Sequence, residues 1–210
     1  MHNNKDIIQI TDAAVQVLRS GGTILYPTDT VWGFGCDACN AGAVEKISAI
    51  KGRTAAKNYI ILVADLNMLS RYVEQIPGMA ETLLQVADKP LTIIYPGGIN
   101  LAPGVTAPDG SIAIRIPAHD FCRSLIRKLK RPLLSTSANL SGSKTPARYA
   151  DIDKDLIKQA DWTAPAFLEA GSTGKPSSII RLGINNQIEI IRPLILQTNH
   201  AQNSYTDPFQ

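Results

Sequence analysis

The sequence predicts an α/β fold of the α+β type: a mixed β-sheet flanked by helices within one domain. Three observations carry this expectation. Amphipathic helical stretches alternate with short extended ones along most of the chain. Residues 59–63, YIILV, are apolar throughout, as a strand covered on both faces requires. Neither an internal repeat nor a long linker divides the 210 residues, and a chain of that length buries roughly 70% of its unfolded surface without staples.

The elements follow in order. In residues 12–20, Ala14, Val17 and Leu18 share a helical face, and Gly21-Gly22 supplies the stop. Residues 23–26 read as a short buried strand running into Pro27. Asn40 caps a second helix whose apolar face is Ala43, Ile47 and Ile50. After Pro77-Gly78, the spacing of Met79, Leu83 and Val86 marks another helix, and 91–95 and 111–116 read as strands. Residues 119–129 form a basic amphipathic helix. Phe121, Cys122, Leu125, Ile126 and Leu129 face inward; Arg123, Arg127 and Lys128 face out. A short strand at 132–135 leads into a stretch rich in Ser, Thr and Gly up to Pro146. Late strands at 178–182 and 187–192 are joined by a turn at 183–186. The polar end from Thr198 reads as a poorly ordered tail, which leaves 1–197 as the folded domain.

Composition narrows the function classes. Hydrophobic residues at 44% and charged residues at 19% describe an ordinary globule rather than a disordered chain. Aromatics at 6% argue against a platform that stacks many bases. With 21 Lys+Arg against 18 Asp+Glu, the net charge of +3 suits phosphate ligands or RNA but demands neither. Three cysteines cannot form a fully paired disulfide set, the first twelve residues lack the pattern of a signal peptide, and no apolar run approaches the roughly 20 residues of a membrane span. The expected location is the cytoplasm.

Four loops hold residues that folding alone does not call for. The first runs from Tyr26-Pro27-Thr28-Asp29-Thr30 to Gly33-Phe34-Gly35-Cys36-Asp37-Ala38, where hydroxyls past a strand end meet glycines that allow close approach to a ligand. The second, Lys51-Gly52-Arg53 with Lys57, either complements a helix dipole or grips a polyphosphate. The third, residues 135–142 (STSANLSG), offers donors and acceptors without a titratable base. Ser137 lacks the G-x-S-x-G setting of a nucleophile elbow, and His119 is the one histidine away from the chain ends, so hydrolase chemistry is set aside. The fourth, residues 171–178 (GSTGKPSS), imitates a P-loop tail, but Pro176 stands where a magnesium-binding hydroxyl belongs. It serves better as a lid carrying Lys175 and Ser177. Cys36-x-x-Cys39, with His119 and Cys122, reads either as a zinc set or as small buried hydrophobes.

In this order the loops resemble the YrdC family of threonylcarbamoyl-AMP synthases. The strings YPTDTVWGFGCDA, KGRTAAK, KPLTIIYP, SIAIRIPAH, STSANLSG and PSSII carry the likeness, which runs from about Thr11 to Arg192. The resemblance implies a twisted mixed sheet with a concave, positively charged face. It also implies an enzyme that joins L-threonine, bicarbonate and ATP, with Mg2+, into threonylcarbamoyl-AMP and pyrophosphate. Partner proteins would then pass the group to a tRNA adenosine beside the anticodon.

Residue by residue, Lys51, Arg53, Ser137 and Asn139 match the Lys-x-Arg and Ser-x-Asn groups and would be catalytic. Arg53, Lys57, Ser111, Ser137, Thr145 and Arg192 would contact ATP. Thr30, Arg115, Ser135 and Ser177 would hold threonine, with Arg115 on its carboxylate. Thr54, Asn58-Tyr59, Lys89, Trp32 and Leu62 depart from the usual pattern. Two other classes stand beside the enzyme. One is a double-stranded RNA or tRNA module using Arg123, Arg127, Lys128, Lys130 and Arg131; the other is a paralogue with a changed substrate.

Overall fold

The computed structural model describes residues 4–52, 59–140 and 142–193. Arg53, Lys57 and the expected tail from Thr198 lie outside the described residues. The strands are β1 (Ile24–Tyr26), β2 (Gly33–Asp37), β3 (Ile60–Leu62), β4 (Leu91–Tyr95), β5 (Ile112–Arg115), β6 (Leu133–Ser137), β7 (Trp162–Thr163), β8 (Ser178–Leu182) and β9 (Ile188–Arg192). They form one mixed sheet in the order β7-β1-β2-β6-β3-β5-β4-β8-β9. Helices α1 (Asn4–Arg19), α2 (Ala41–Ile50), α3 (Leu66–Leu69), α4 (Ala80–Val86), α5 (Asp120–Leu129) and α6 (Lys154–Gln159) flank it. The expected mixed sheet with helices is what the chain builds.

Pairing registers explain how the sheet makes both a core and a hollow. One row of paired residues, Cys36, Leu134, Ile61, Ile114, Ile93 and Ile180, crosses six strands and belongs to the main core. Side chains alternate along a strand, so the neighbouring rows point to the other face. One of those rows carries Gly35, Ser135, Ile60 and Ala113; the other runs from Leu133 and Leu62 to Arg115 and Thr92. Small and polar groups leave room where bulky ones would fill it, and the hollow forms here.

Some elements depart from the sequence expectation. Helix α1 begins at Asn4, eight residues before the expected start, because Thr11, Ala14, Val15 and Leu18 continue one buried stripe and Thr11 Oγ1 bonds Ile7 O at 2.8 Å. α4 exists where expected, but its apolar face does not: Val86 is 70% and Met79 38% exposed, while Ala80 is buried. The short helix is pinned at its start, where Met79 N donates to Asn186 Oδ1 at 3.1 Å. α2 follows its cap, with Asn40 Oδ1 accepting from Ala43 N at 3.1 Å. The strand expected at 132–135 runs from Leu133 to Ser137.

The largest surprise is β2, whose glycines suggest a loop. The Tyr26 ring crosses above Gly33 and Gly35; a Cβ on Gly33 would stand 3.0 Å from the ring and from Ser135 Oγ, and one on Gly35 3.0 Å from the ring. Glycine at both positions lets a tyrosine lie flat over a central strand.

Candidate active site

One cleft of about 580 Å³, counting its open mouth, lies over the small and polar rows of the sheet. Its wall includes Thr30, Arg115, Ser135, Ser137, Thr145, Ser177 and Arg192. That set contains all four residues expected on the threonine side and three of those expected at ATP. They come from six separate stretches of chain.

Each hydroxyl is set by a specific neighbour. Tyr26 Oη donates to Ser135 Oγ at 2.7 Å, which leaves the Ser135 proton for the cleft. Burial pushes the Tyr26 phenol far above its ordinary value, so it stays a donor. Thr28 Oγ1 donates to Val31 O at 2.8 Å; with its one proton spent, it accepts from Thr30 Oγ1 at 2.8 Å and from Thr30 N at 3.0 Å. Ser177 Oγ pairs with Thr92 Oγ1 at 2.8 Å, and Arg192 Nε donates to Ser177 O at 2.9 Å.

At the deep end, Arg115 Nη1 bonds Asp29 Oδ1 and Thr30 Oγ1, both at 2.9 Å. Asp29 Oδ2 accepts from Ala118 N at 3.2 Å. Residues 172–174 close this end: Ser172 Oγ bonds Thr28 O at 2.5 Å, Thr173 N bonds Asp29 O at 3.0 Å and Gly174 N bonds Thr30 O at 2.8 Å. The segment read as a lid therefore lies docked along the threonine-side loop. Pro176 and Ser177 reach the cleft, whereas Lys175 is exposed and does not line it.

Lys51, Ser137 and Asn139 form one connected group. Lys51 caps the end of α2, is 2% exposed, and its Nζ donates to Ser137 O at 2.9 Å and to Asn139 O. Asn139 Oδ1 accepts from Ser137 Oγ and, at 3.5 Å, from Lys51 Nζ; its amide bonds Leu140 O at 3.1 Å and Ser143 O at 2.6 Å. Ser137 faces the cleft, but Lys51 and Asn139 are not in its wall. Asn139 instead lines a neighbouring hollow of about 510 Å³ with Lys144, Asp151 and Asp153. Lys51 thus braces the Ser-x-Asn loop from behind.

Two other placements bear on the sequence reading. Ser111 is not in the cleft wall: its hydroxyl donates to Asp109 Oδ1 at 2.6 Å and its N–H to the same oxygen at 2.9 Å, a tight local turn. The cysteines do not form a zinc set, since among the described residues no three His, Cys, Asp or Glu side chains could hold a metal. Cys36 and Cys122 are buried, which pushes their thiols up, and Cys122 Sγ rests on Pro27 O at 3.1 Å.

Three residues escaped the sequence reading. Asp29 stood in a quoted loop without a role; its place between two hydroxyls was the signal. Trp32 lines the cleft with its indole N–H fixed by Glu169 Oε2 at 2.7 Å, and the same oxygen accepts from Tyr149 N at 2.8 Å. The Trp32 and Tyr149 rings sit 5.0 Å apart. Nothing local to Glu169 announces this, because its partners are 137 and 20 residues away.

Fold and cleft together define a class: a mixed-sheet domain with a cleft lined by hydroxyls and two guanidinium groups. The Sua5–YciO–YrdC family model, described as "Telomere recombination", matches residues 16–193, and the chain belongs to that family. It is 37% identical over 172 residues to the threonylcarbamoyl-AMP synthase of Stenotrophomonas maltophilia (strain K279a), covering 80% of this chain and 91% of that one. P. abyssi Sua5, solved in complex with L-threonine, superposes with a TM-score of 0.75 at 30% identity over 84% of this chain and 51% of its own. This chain spans about half the length of that protein. E. coli YciO superposes with a TM-score of 0.72 at 26% identity, covering 89% of each chain.

Proposed function

We propose that the chain is a threonylcarbamoyl-AMP synthase, acting on L-threonine, bicarbonate and ATP. The observation that carries this is the single cleft in which Thr30, Arg115, Ser135 and Ser177 meet Ser137, Thr145 and Arg192. The amino acid lies at the Arg115 end and the nucleotide at the Ser137 and Arg192 end.

The chemistry suits these residue types. Threonine loses a proton from its ammonium group, and its amine condenses with bicarbonate to give an N-carboxylate and water. A carboxylate oxygen of that product attacks the α-phosphorus of ATP, and the bond to pyrophosphate breaks. Two anions must approach each other, so alignment and charge neutralisation dominate over proton transfer. Arg115 and Ser135 orient the amino acid, while Ser137 and Arg192 supply donors toward the phosphates. The cleft wall has no carboxylate, so its described residues do not cage a resident cation. Magnesium enters as the counter-ion of the triphosphate, as part of the substrate. Arg53 and Lys57 complete the phosphate side by the same resemblance.

The product is then handed by partner proteins to a tRNA adenosine beside the anticodon, in the cytoplasm. Among the described residues, no helix is long and apolar enough to cross a membrane. The test is pyrophosphate release from ATP, magnesium and bicarbonate with and without L-threonine. A threonine-dependent burst is expected, with Arg53→Ala slowing it severely. Release that ignores threonine overturns the reading, and tight salt-sensitive RNA binding without turnover would favour an RNA module.

A further inference from the structure

A guanidinium group presents five N–H bonds in a rigid plane, and its Nε–H and one Nη2–H run parallel along one edge. In Arg115 the Nη1 corner is spent on protein, on Asp29 Oδ1 and Thr30 Oγ1, each at 2.9 Å. The opposite edge is not. Among the described residues, Nε is buried without a hydrogen-bond partner, and Nη2 has a single long contact, 3.4 Å to Thr28 Oγ1. Arg115 is 5% exposed yet lines the cleft. A buried donor with no acceptor is costly to leave unmade, so this edge calls for a ligand that accepts two parallel bonds.

What aims that edge is Asp29. It is 7% exposed and is not part of the cleft wall. Both of its oxygens are engaged: Oδ1 on Arg115 and Oδ2 on Ala118 N at 3.2 Å, just before the start of α5. Its backbone carbonyl is held in turn by Thr173 N at 3.0 Å. Rotation of the guanidinium about its long axis would break the Asp29 and Thr30 bonds together.

We propose that Asp29 is a positioning residue for the amino-acid substrate: by claiming the Nη1 corner of Arg115 it turns the Nε–Nη2 edge toward an α-carboxylate and so makes the site demand one. Asp29 also balances the guanidinium charge, so recognition of the carboxylate rests on two directed bonds rather than on a bare cation. This assignment rests on the synthase reading, and it makes a claim that reading does not. Selectivity for a free carboxylate depends on a residue that is not part of the cleft wall.

The experiment compares wild type and Asp29→Asn with L-threonine and with L-threoninol, which keeps the amine and β-hydroxyl but replaces the carboxylate by a hydroxymethyl group. In the variant the kcat/KM preference for threonine over threoninol is expected to fall roughly 10- to 100-fold, through KM for threonine, with KM for ATP unchanged. A merely structural role would lower both substrates together and leave the preference intact, which overturns the proposal. Wild type without threonine-dependent pyrophosphate release would instead sink the synthase reading. A second measurement needs no variant of Asp29 and no turnover. The Arg115 Nε–H resonance, assigned by its loss in Arg115→Lys, should move and gain exchange protection with L-threonine and not with L-threoninol. If threonine leaves it unmoved, the proposal fails even if Asp29→Asn does not fold.

Discussion

At the scale of single residues, the site is a matter of where protons and lone pairs are committed. Tyr26 is fully buried and gives its phenol proton to Ser135, which frees the serine proton for the cleft. In Tyr26→Phe that serine can turn its proton inward instead. KM for threonine is expected to rise with little change in KM for ATP, and stability to fall by about 1 kcal/mol for the lost hydrogen bond. Steady-state kinetics and a thermal melt check both; an unaltered KM for threonine would remove Ser135 from that side. The same accounting predicts that Ser111→Ala leaves KM for ATP unchanged, because that hydroxyl belongs to Asp109. The variant's visible effect should be on Asp109, whose carboxyl is held below its ordinary value first by the Ser111 hydroxyl. An NMR titration should find that carboxyl titrating at higher pH once the hydroxyl is gone.

Among the elements, β2 is the one the site depends on and the one its composition hides. A Cβ at Gly35 would press on the Leu134 carbonyl oxygen of the adjacent strand and on the Tyr26 ring. Neither can withdraw, since one is backbone and the other is fully buried. Gly35→Ala is therefore expected to cost about 1–3 kcal/mol or more by overpacking, and to lower Tm by roughly 2–4 °C per kcal/mol. A melt indistinguishable from wild type would mean that the sheet opens there at no cost. The helix α5 teaches the converse. Its outward cations read equally as an RNA patch or as a solvated face. In the fold Lys128 pairs with Asp12, Arg127 with Asp65 at 3.9 Å and the following Arg131 with Asp37 at 2.9 Å, while Arg123 Nε bonds Pro117 O at 2.8 Å. Most of that charge is answered within the molecule, by acidic groups far away in sequence.

For the whole molecule, packing a broad sheet against helices buries phenols. Tyr72 is pushed up from 10.0 to about 12 by burial first, and burial drives Tyr26 and Tyr95 higher still. The folded pKa lies above the unfolded one, so the unfolded chain releases these protons first. Stability is then fully present below about pH 10 and is lost as pH rises toward about 12. Urea unfolding followed across that range should show a steep decline, and Tyr95→Phe should make it shallower; a flat profile would mean the phenols reach water in the native state.

Legibility followed the range of the forces involved. The Asn40 cap, the inward stripe of α5, the apolar run of β3 and the late hairpin are local patterns, and they stand in the structure where the sequence puts them. The threonine-side residues were legible only through resemblance, yet the fold brings Thr30, Arg115, Ser135 and Ser177 into one wall. What no local pattern could tell was which polar groups face the cleft and which serve their neighbours. Lys51 lies behind the Ser-x-Asn loop and Ser111 lies outside, while Asp29 and Glu169 work through partners distant in the chain. By itself the sequence determined the capped and strongly periodic segments, among them α2, α5, β3 and the late hairpin, because propensity, capping and hydrophobic period act over a few residues; β2, whose pairing rests on distant partners, was not among them. The tertiary structure alone decided which side chains share the hollow and what each hydrogen bond is spent on. Those contacts join strands that the sheet order, not the chain order, makes neighbours.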